Sequence, residues 1–184
     1  MVNHRLKQFL EKNSIISPNQ AGFRNKRECL DQVARIENEV RNINNKNYGV
    51  LAVFLDIEKA FDTACRPLIL KILKESGIKG QMYNYIRAFL SNRTFRVKIG
   101  SELSEYRPLK NGVPQGAVLS PTLFLPTLNF FKDNFFPKGS NMNIAQFADD
   151  TALFSKIKID DLMHFKGNKN GKEANDDVKK LIIM

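Results

Sequence analysis

Two adjacent carboxylates, Asp149 and Asp150, interrupt an apolar stretch that runs from Asn143 to Phe154. Apolar residues on both sides of a short polar pair predict two strands joined by a tight hairpin, with both carboxylates at the turn. Side-by-side like charges repel unless a cation lies between them, and hard carboxylate oxygens favour Mg²⁺ or Mn²⁺. Aspartate is also a common turn residue. A lone pair therefore needs a partner elsewhere in the chain before it implies a metal.

Residues 50–62 supply that partner. The run Val50-Leu51-Ala52-Val53-Phe54-Leu55 is continuously apolar and predicts a strand buried on both faces. It ends at Asp56, and a charge at the end of a buried strand belongs to a metal site or an ion pair. A helix-compatible stretch follows from Glu58 through Phe61. One strand ending in Asp56 and one hairpin carrying Asp149 and Asp150 can gather three carboxylates. That set suits two metal ions clamping the attacking and leaving oxygens of a phosphoryl transfer.

The charge balance agrees with such chemistry. A net charge of +10 and a pI near 9.7 call for an acidic partner, with nucleic acid ahead of a membrane. No apolar run reaches the length of a membrane span, and the N-terminus lacks a signal-peptide core. Cys29 and Cys65 have no zinc-type spacing and are too few for a disulfide framework. An intracellular, reducing compartment is expected, nucleus or cytoplasm. The 184 residues fit one domain, or one domain with a fragment of another, and the 42% apolar share is enough for a core.

The remaining segments read as supports and loops. Residues 3–16 predict a helix with a basic face, stopped by Ser17-Pro18-Asn19. Gln20 to Arg27 is a basic loop whose glycine and guanidinium suit phosphate, although a solvated turn has the same composition. Glu28 to Asn42 is an amphipathic helix with Leu30, Val33, Ile36 and Val40 expected in the core. Helices are expected over 67–76 and 81–90, then a hairpin of runs 94–99 and 105–109 joined at Gly100-Ser101. Arg87, Arg93, Arg96 and Lys98 crowd this region and can track a nucleic-acid backbone, while Phe89 and Phe95 are expected to face the core. In the loop 111–121, two glycines flank Pro114-Gln115 ahead of a helix near Ser120-Pro121. It either brings backbone close to a ligand, with Gln115 as donor and acceptor, or simply precedes a buried helix. Pro126 and Pro137 are expected to interrupt and end that helix. Residues 166–177 are polar and read as disorder or a linker.

In order and spacing, residues 3–155 resemble the reverse transcriptases of non-LTR, jockey-like retrotransposons. Four segments carry the resemblance: Gln20-Ala21-Gly22-Phe23-Arg24, Phe54-Leu55-Asp56-Ile57-Glu58-Lys59-Ala60-Phe61-Asp62, Gly112-Val113-Pro114-Gln115-Gly116-Ala117-Val118-Leu119-Ser120-Pro121, and Phe147-Ala148-Asp149-Asp150. The resemblance implies an α/β polymerase palm, a small antiparallel sheet packed on helices, with partial fingers. Fingers would occupy about 1–48, palm about 49–155, and a divergent, disordered tail 156–184. It further implies an RNA-directed DNA polymerase that uses two Mg²⁺ or Mn²⁺ ions, an RNA template, a DNA primer and dNTP. Asp56 and Asp149 would bridge the metals, with Asp150 close by and the Ile57 carbonyl as a further ligand. Arg24 with Lys26 would hold the triphosphate, and Phe61 would exclude a ribose 2′-hydroxyl by its bulk. Gln115 and Gly116 would line the nucleotide pocket, and Pro114, Gln115, Arg93 and Arg96 would contact nucleic acid.

The chain also departs from that pattern. Arg27-Glu28-Cys29 stands where the family usually has His-Ser-Thr, and Ala64-Cys65-Arg66 where it usually carries tryptophan. Nothing in it resembles a thumb or an endonuclease, so weak or absent synthesis by a truncated copy is expected. Two other readings fit the same residues. One is a basic RNA-binding chain without catalysis; the other is a group II intron or telomerase-like reverse transcriptase.

Overall fold

In the computed structural model, residues 1–135 and 142–160 are described. In chain order the elements are α1 (Val2–Lys12), α2 (Cys29–Arg41), β1 (Tyr48–Leu55), α3 (Ala60–Thr63), α4 (Arg66–Glu75), α5 (Gly80–Leu90), β2 (Thr94–Phe95), β3 (Lys98–Ile99), β4 (Glu102–Leu103), β5 (Arg107–Pro108), α6 (Ser120–Phe135), β6 (Asn143–Phe147) and β7 (Asp150–Lys158). They divide between two units, one of Met1–Ser17 with Glu58–Phe136, the other of Pro18–Ile57 with Pro137–Met184. The result is a mixed α/β fold with small antiparallel sheets packed on helices, as expected.

The first unit is helical. Leucine and isoleucine recur at three-to-four spacing in α1, α4 and α5, so each helix carries one apolar stripe. Leu6, Leu10, Ile69, Leu73, Ile86 and Leu90 are fully buried, together with Leu123, Leu125 and Leu128 of α6. Arg66 and Pro67 open α4, where a missing N–H costs nothing, and Gly77 at φ +92° ends it. Pro126 does not interrupt α6; the helix runs through it to Phe135. The proline is fully buried, and packing around it outweighs the hydrogen bond that its ring removes. The Asn129 side chain of the same helix accepts from the Ser17 amide at 2.9 Å and donates to the Ile15 carbonyl.

A small ribbon replaces the long hairpin expected after α5. β2 pairs with β5, and β3 pairs with β4 across Gly100-Ser101, with Arg96 and Val97 breaking the ladder between them. Phe95 is 44% exposed, not core, because these two-residue strands have no covered face.

The second unit is built on an antiparallel sheet of order β1-β7-β6 with α2 packed on it. Ala145, Ala152 and Phe154 form its core with Ile36, Val50 and Ala52. An apolar run of strand length reads as a central, doubly covered strand, but β1 lies at the sheet edge, and Leu51, Phe54 and Leu55 stay exposed. The buried stripe of α2 centres on Gln32 and Ile36 and is rotated away from Leu30, which is 70% exposed; Val33 and Val40 are exposed too. The α2 start is fixed by the Glu28 amide donating to the Asp31 carboxylate at 2.7 Å. β7 continues through Lys158, pairing Lys156 with Val50. The expected effects of Pro137 and the expected disorder of 166–177 fall outside the described residues.

Candidate functional site

The carboxylates meet because of strand register. Leu55 pairs with Thr151 across β1 and β7, so the neighbouring residues, Asp56 just past β1 and Asp150 at the start of β7, lie at the same end of the sheet. Phe147 pairs with Asp150, which makes Ala148 and Asp149 the two loop residues of the hairpin. The turn is thus one residue earlier than the Asp-Asp pair suggests, and Asp150 already belongs to β7. Asp149 is half-buried, while Asp56 and Asp150 are exposed.

Their charges are coupled. Partial burial, then the neighbouring Asp149 and Asp56 carboxylates, push the Asp150 carboxyl above its ordinary value. A divalent cation beside Asp150 would relieve that repulsion. The donor set, hard oxygens with uncompensated negative charge, fits Mg²⁺ or Mn²⁺ in kind. Among the described residues no group of three or more His, Cys, Asp or Glu is gathered as a ready-made metal cage. Asp56 and Asp150 also border an open, mainly apolar cleft of about 450 Å³, lined further by Phe54, Phe147, Val33 and Gln32. Gln32 is buried, and neither polar atom of its side chain has a hydrogen-bond partner among the described residues.

Gln20 to Arg24 lies against the other edge of this sheet. Gln20 forms a parallel bridge with Gln146, in which the Ala21 amide donates to the Gln146 carbonyl at 2.9 Å and the Gln146 amide to the Asn19 carbonyl at 3.0 Å. Arg24 folds back, its Nη1 donating to the Gln20 carbonyl at 3.0 Å, and Lys26 is exposed at φ +56°. The Gln20 side chain reaches the carboxylate turn. Its Nε2 donates to the Ala148 carbonyl at 2.8 Å, and its Oε1 accepts from the Ala148 amide at 2.8 Å and the Gly22 amide at 2.7 Å.

The first unit brings together a second set of expected residues. Phe61 lies in α3, half-buried, stacked on Phe124 with ring centroids 5.3 Å apart. The Phe61 carbonyl accepts from the Val113 amide at 2.8 Å, and the Gln115 side chain donates to Asp62 at 3.0 Å. Gly112, at φ +86°, lies so close that a Cβ there would meet the Asp62 carbonyl oxygen at 2.7 Å. Pro114 and Gly116 share this loop, and the space beside Gly116 is open. Arg93 stacks over Phe89 at 5.6 Å and Arg96 over Tyr106 at 4.8 Å. Ile57 belongs to the carboxylate unit and is half-buried.

Two residues escaped sequence reasoning. One is Gln20, whose side-chain role no local pattern announces. The other is Arg66, noticed in the sequence only for standing where a tryptophan was expected. It is buried and donates to three carbonyls of the Gly112 loop, Gly112 at 2.6 Å, Leu109 at 2.7 Å and Asn111 at 2.9 Å. Burial, then the Arg93 charge, lowers its pKa. A single arginine among glycine and proline gives no periodic signal to read.

Comparison with known proteins agrees with this picture. The profile of the reverse transcriptase (RNA-dependent DNA polymerase) family matches residues 1–174. The RNA-directed DNA polymerase from mobile element jockey of Drosophila melanogaster is 34% identical over 165 residues, covering 86% of this chain and 18% of that protein. The Pol polyprotein from type-1 retrotransposable element R2 of Popillia japonica is 32% identical over 130 residues, covering 66% of this chain and 21% of that protein. The chain therefore spans about a fifth of the length of these relatives. In fold it is similar to the telomerase of Candida albicans, TM-score 0.59 at 12% identity, over 90% of this chain and 30% of that one. The telomerase of Candida tropicalis gives 0.56 at 13% identity, over 98% and 36%. At such identities the telomerases share the architecture alone, whereas the mobile-element proteins share sequence. The chain belongs to the reverse transcriptase family.

Proposed function

We propose that this chain carries the carboxylate site and nucleotide-contacting segments of an RNA-directed DNA polymerase of the non-LTR retrotransposon lineage. The observation that carries the proposal is the register that sets Asp56, Asp149 and Asp150 at one end of the β1–β7–β6 sheet, where the Asp150 carboxyl feels the charge of the other two. Family membership supplies the reaction class: a primer 3′-hydroxyl attacks the α-phosphate of a dNTP in line, and pyrophosphate leaves.

Asp56 and Asp149 would hold a pair of Mg²⁺ or Mn²⁺ ions, with Asp150 and the Ile57 carbonyl as further ligands. Such ions, when bound, neutralise charge on the phosphate and favour the ionised hydroxyl. The protein's own groups bind and orient. Arg24 and Lys26 offer cationic donors to the triphosphate. Phe61, held by stacking on Phe124, would exclude a ribose 2′-hydroxyl by its bulk. Pro114, Gln115 and Gly116 would contact the nucleotide and template, and the space beside Gly116, at φ +81°, is open. Arg93 and Arg96, with the net charge of +10, attract the RNA template and DNA primer. Among the described residues no helix is long and apolar enough to cross a membrane, and the proposed substrates belong inside the cell.

The test is primer extension on an RNA template, paired with Mn²⁺ titration calorimetry. Extension that requires Mg²⁺ or Mn²⁺ and falls to background in Asp149→Ala is the expected result, together with Mn²⁺ binding lost in Asp56→Ala and Asp149→Ala. Extension or Mn²⁺ binding that survives those substitutions overturns the assignment. Salt-sensitive RNA binding without any Mn²⁺ binding would instead favour a basic RNA-binding chain.

A further inference from the structure

The turn that carries Asp149 has an unfavourable conformation for its sequence. Ala148 holds φ +55° at the first of two loop positions, while Asp149 stays out of the left-handed region. Hairpin loops of that form usually place glycine first, because a Cβ disfavours positive φ. An alanine left to itself would relax toward negative φ, rotating the Ala148–Asp149 peptide and carrying the Asp149 side chain with it.

Two independent contacts oppose that rotation. The Gln20 side chain, 1% exposed, bonds both the N–H and the C=O of Ala148. Gly22, anchored to the same amide oxygen, lies so close that a Cβ would stand 2.1 Å from the Ala148 nitrogen. We propose that Gln20 is a positioning residue for the carboxylate site: its buried amide, with the close approach of Gly22, locks the left-handed turn and so fixes where Asp149 leaves it. This rests on the metal-dependent reading of that site. The chemistry of an amide suits the task. It offers a donor and an acceptor to a peptide that turns both its groups inward. It also adds no charge to a cluster whose negative field must remain available to a cation. Lysine or arginine would lack the acceptor, and glutamate would lack the donor and deepen the repulsion.

The test uses the full chain and two readouts: hydrogen exchange at the Ala148 amide, and Mn²⁺ affinity from the electron paramagnetic resonance signal of free Mn²⁺. In the wild type, the Ala148 amide should exchange as slowly as the β6 and β7 amides around it. Gln20→Met, similar in volume but unable to form these bonds, should speed exchange at Ala148 while the strand ladder stays protected. It should also weaken Mn²⁺ binding by roughly 10- to 100-fold, the range for loss of an outer-shell partner. Gly22→Ala should act the same way by pushing on Ala148. A merely structural role would lower the melting point without changing the Mn²⁺ affinity of the folded chain. Rapid wild-type exchange at Ala148, or a folded Gln20→Met chain with wild-type Mn²⁺ affinity, overturns the proposal. Should Gln20→Met not fold, the wild-type exchange rate and Gly22→Ala decide. A wild-type chain that binds no Mn²⁺ removes the proposed function instead, and the lock is then judged by exchange alone.

Discussion

Behind the carboxylate turn stands a neutral glutamine; behind the Gly112 loop stands a charged arginine. Both side chains are buried, and both bond main chain only in the contacts described above. The difference follows from what each loop presents. The Gly112 loop turns three carbonyls toward one point, and a guanidinium has only donors to give. The Ala148 residue presents an N–H donor and a C=O acceptor, which a neutral amide matches with its own oxygen and NH₂. Charge separates them as well. A guanidinium beside Asp149 would pair with the carboxylates and compete with a cation. In the first unit, by contrast, Arg66 keeps its charge against burial because three carbonyl dipoles face it.

Arg66→Met breaks this comparison most strongly. It leaves three carbonyls without their donor, and the chain should lose about 3 kcal/mol of stability in urea denaturation. Mn²⁺ affinity should nevertheless stay within about twofold, since the carboxylates belong to the other unit; only changes in the outer shell of the metal move it by tenfold or more. A matching loss of affinity would show that the two loops are not separately held.

Gln32 sharpens the comparison from the opposite side. It is the same residue type as Gln20, also buried and in the same unit, yet its amide bonds nothing among the described residues. Gln32→Met, close in volume, should therefore stabilise the chain by about 1 kcal/mol, read from the same denaturation curve. Destabilisation would mean that the amide has a partner in solution.

The smallest effect is that of Asp150→Asn. Because the folded chain raises the Asp150 pKa, it holds this proton more tightly than the unfolded chain does. The resulting stability is present below the unfolded value, about pH 4, and is lost as pH rises through the higher folded value. At neutral pH and without divalent cation, Asp150→Asn should melt slightly higher than the wild type, with the gap closing toward pH 4. Solvent exposure of this carboxylate keeps the difference small. Added Mg²⁺ should reverse the order, since the wild type then gains a ligand.

Much of this molecule was legible as sequence because its signals are local. Helical stripes such as Leu6 and Leu10 or Ile69 and Leu73, the Glu28 helix start, and the Asp149 hairpin each depend on neighbours a few positions away. Errors came where tertiary context decides. An apolar run cannot tell an edge strand from a central one, so the pattern predicts Leu51 and Phe54 inside, whereas they lie outside. Pro126 reads as a breaker, yet the packing of α6 absorbs it. The turn was displaced by one residue because Ala148, not a polar residue, takes the strained position. Gln20 and Arg66 were invisible as clamps, since their partners lie 128 and 43 to 46 residues away.

The pairing of β1 with β7 sets an order of events. The β6–β7 hairpin closes over two residues and can form as soon as it exists, whereas β1 must wait for a strand that nearly the whole intervening chain separates from it. The arrangement of the neighbouring Asp149 and Asp150 is therefore set early, and Asp56 joins them only when that distant pairing is made. Until then both edges of β1, and not one, are open templates for other strands, of this chain or another. A cation that needs all three carboxylates would bind only molecules that have completed the step. Divalent salt present during refolding should thus act as a proofreader of topology, drawing molecules out of misregistered states and into the one arrangement in which the three carboxylates coincide.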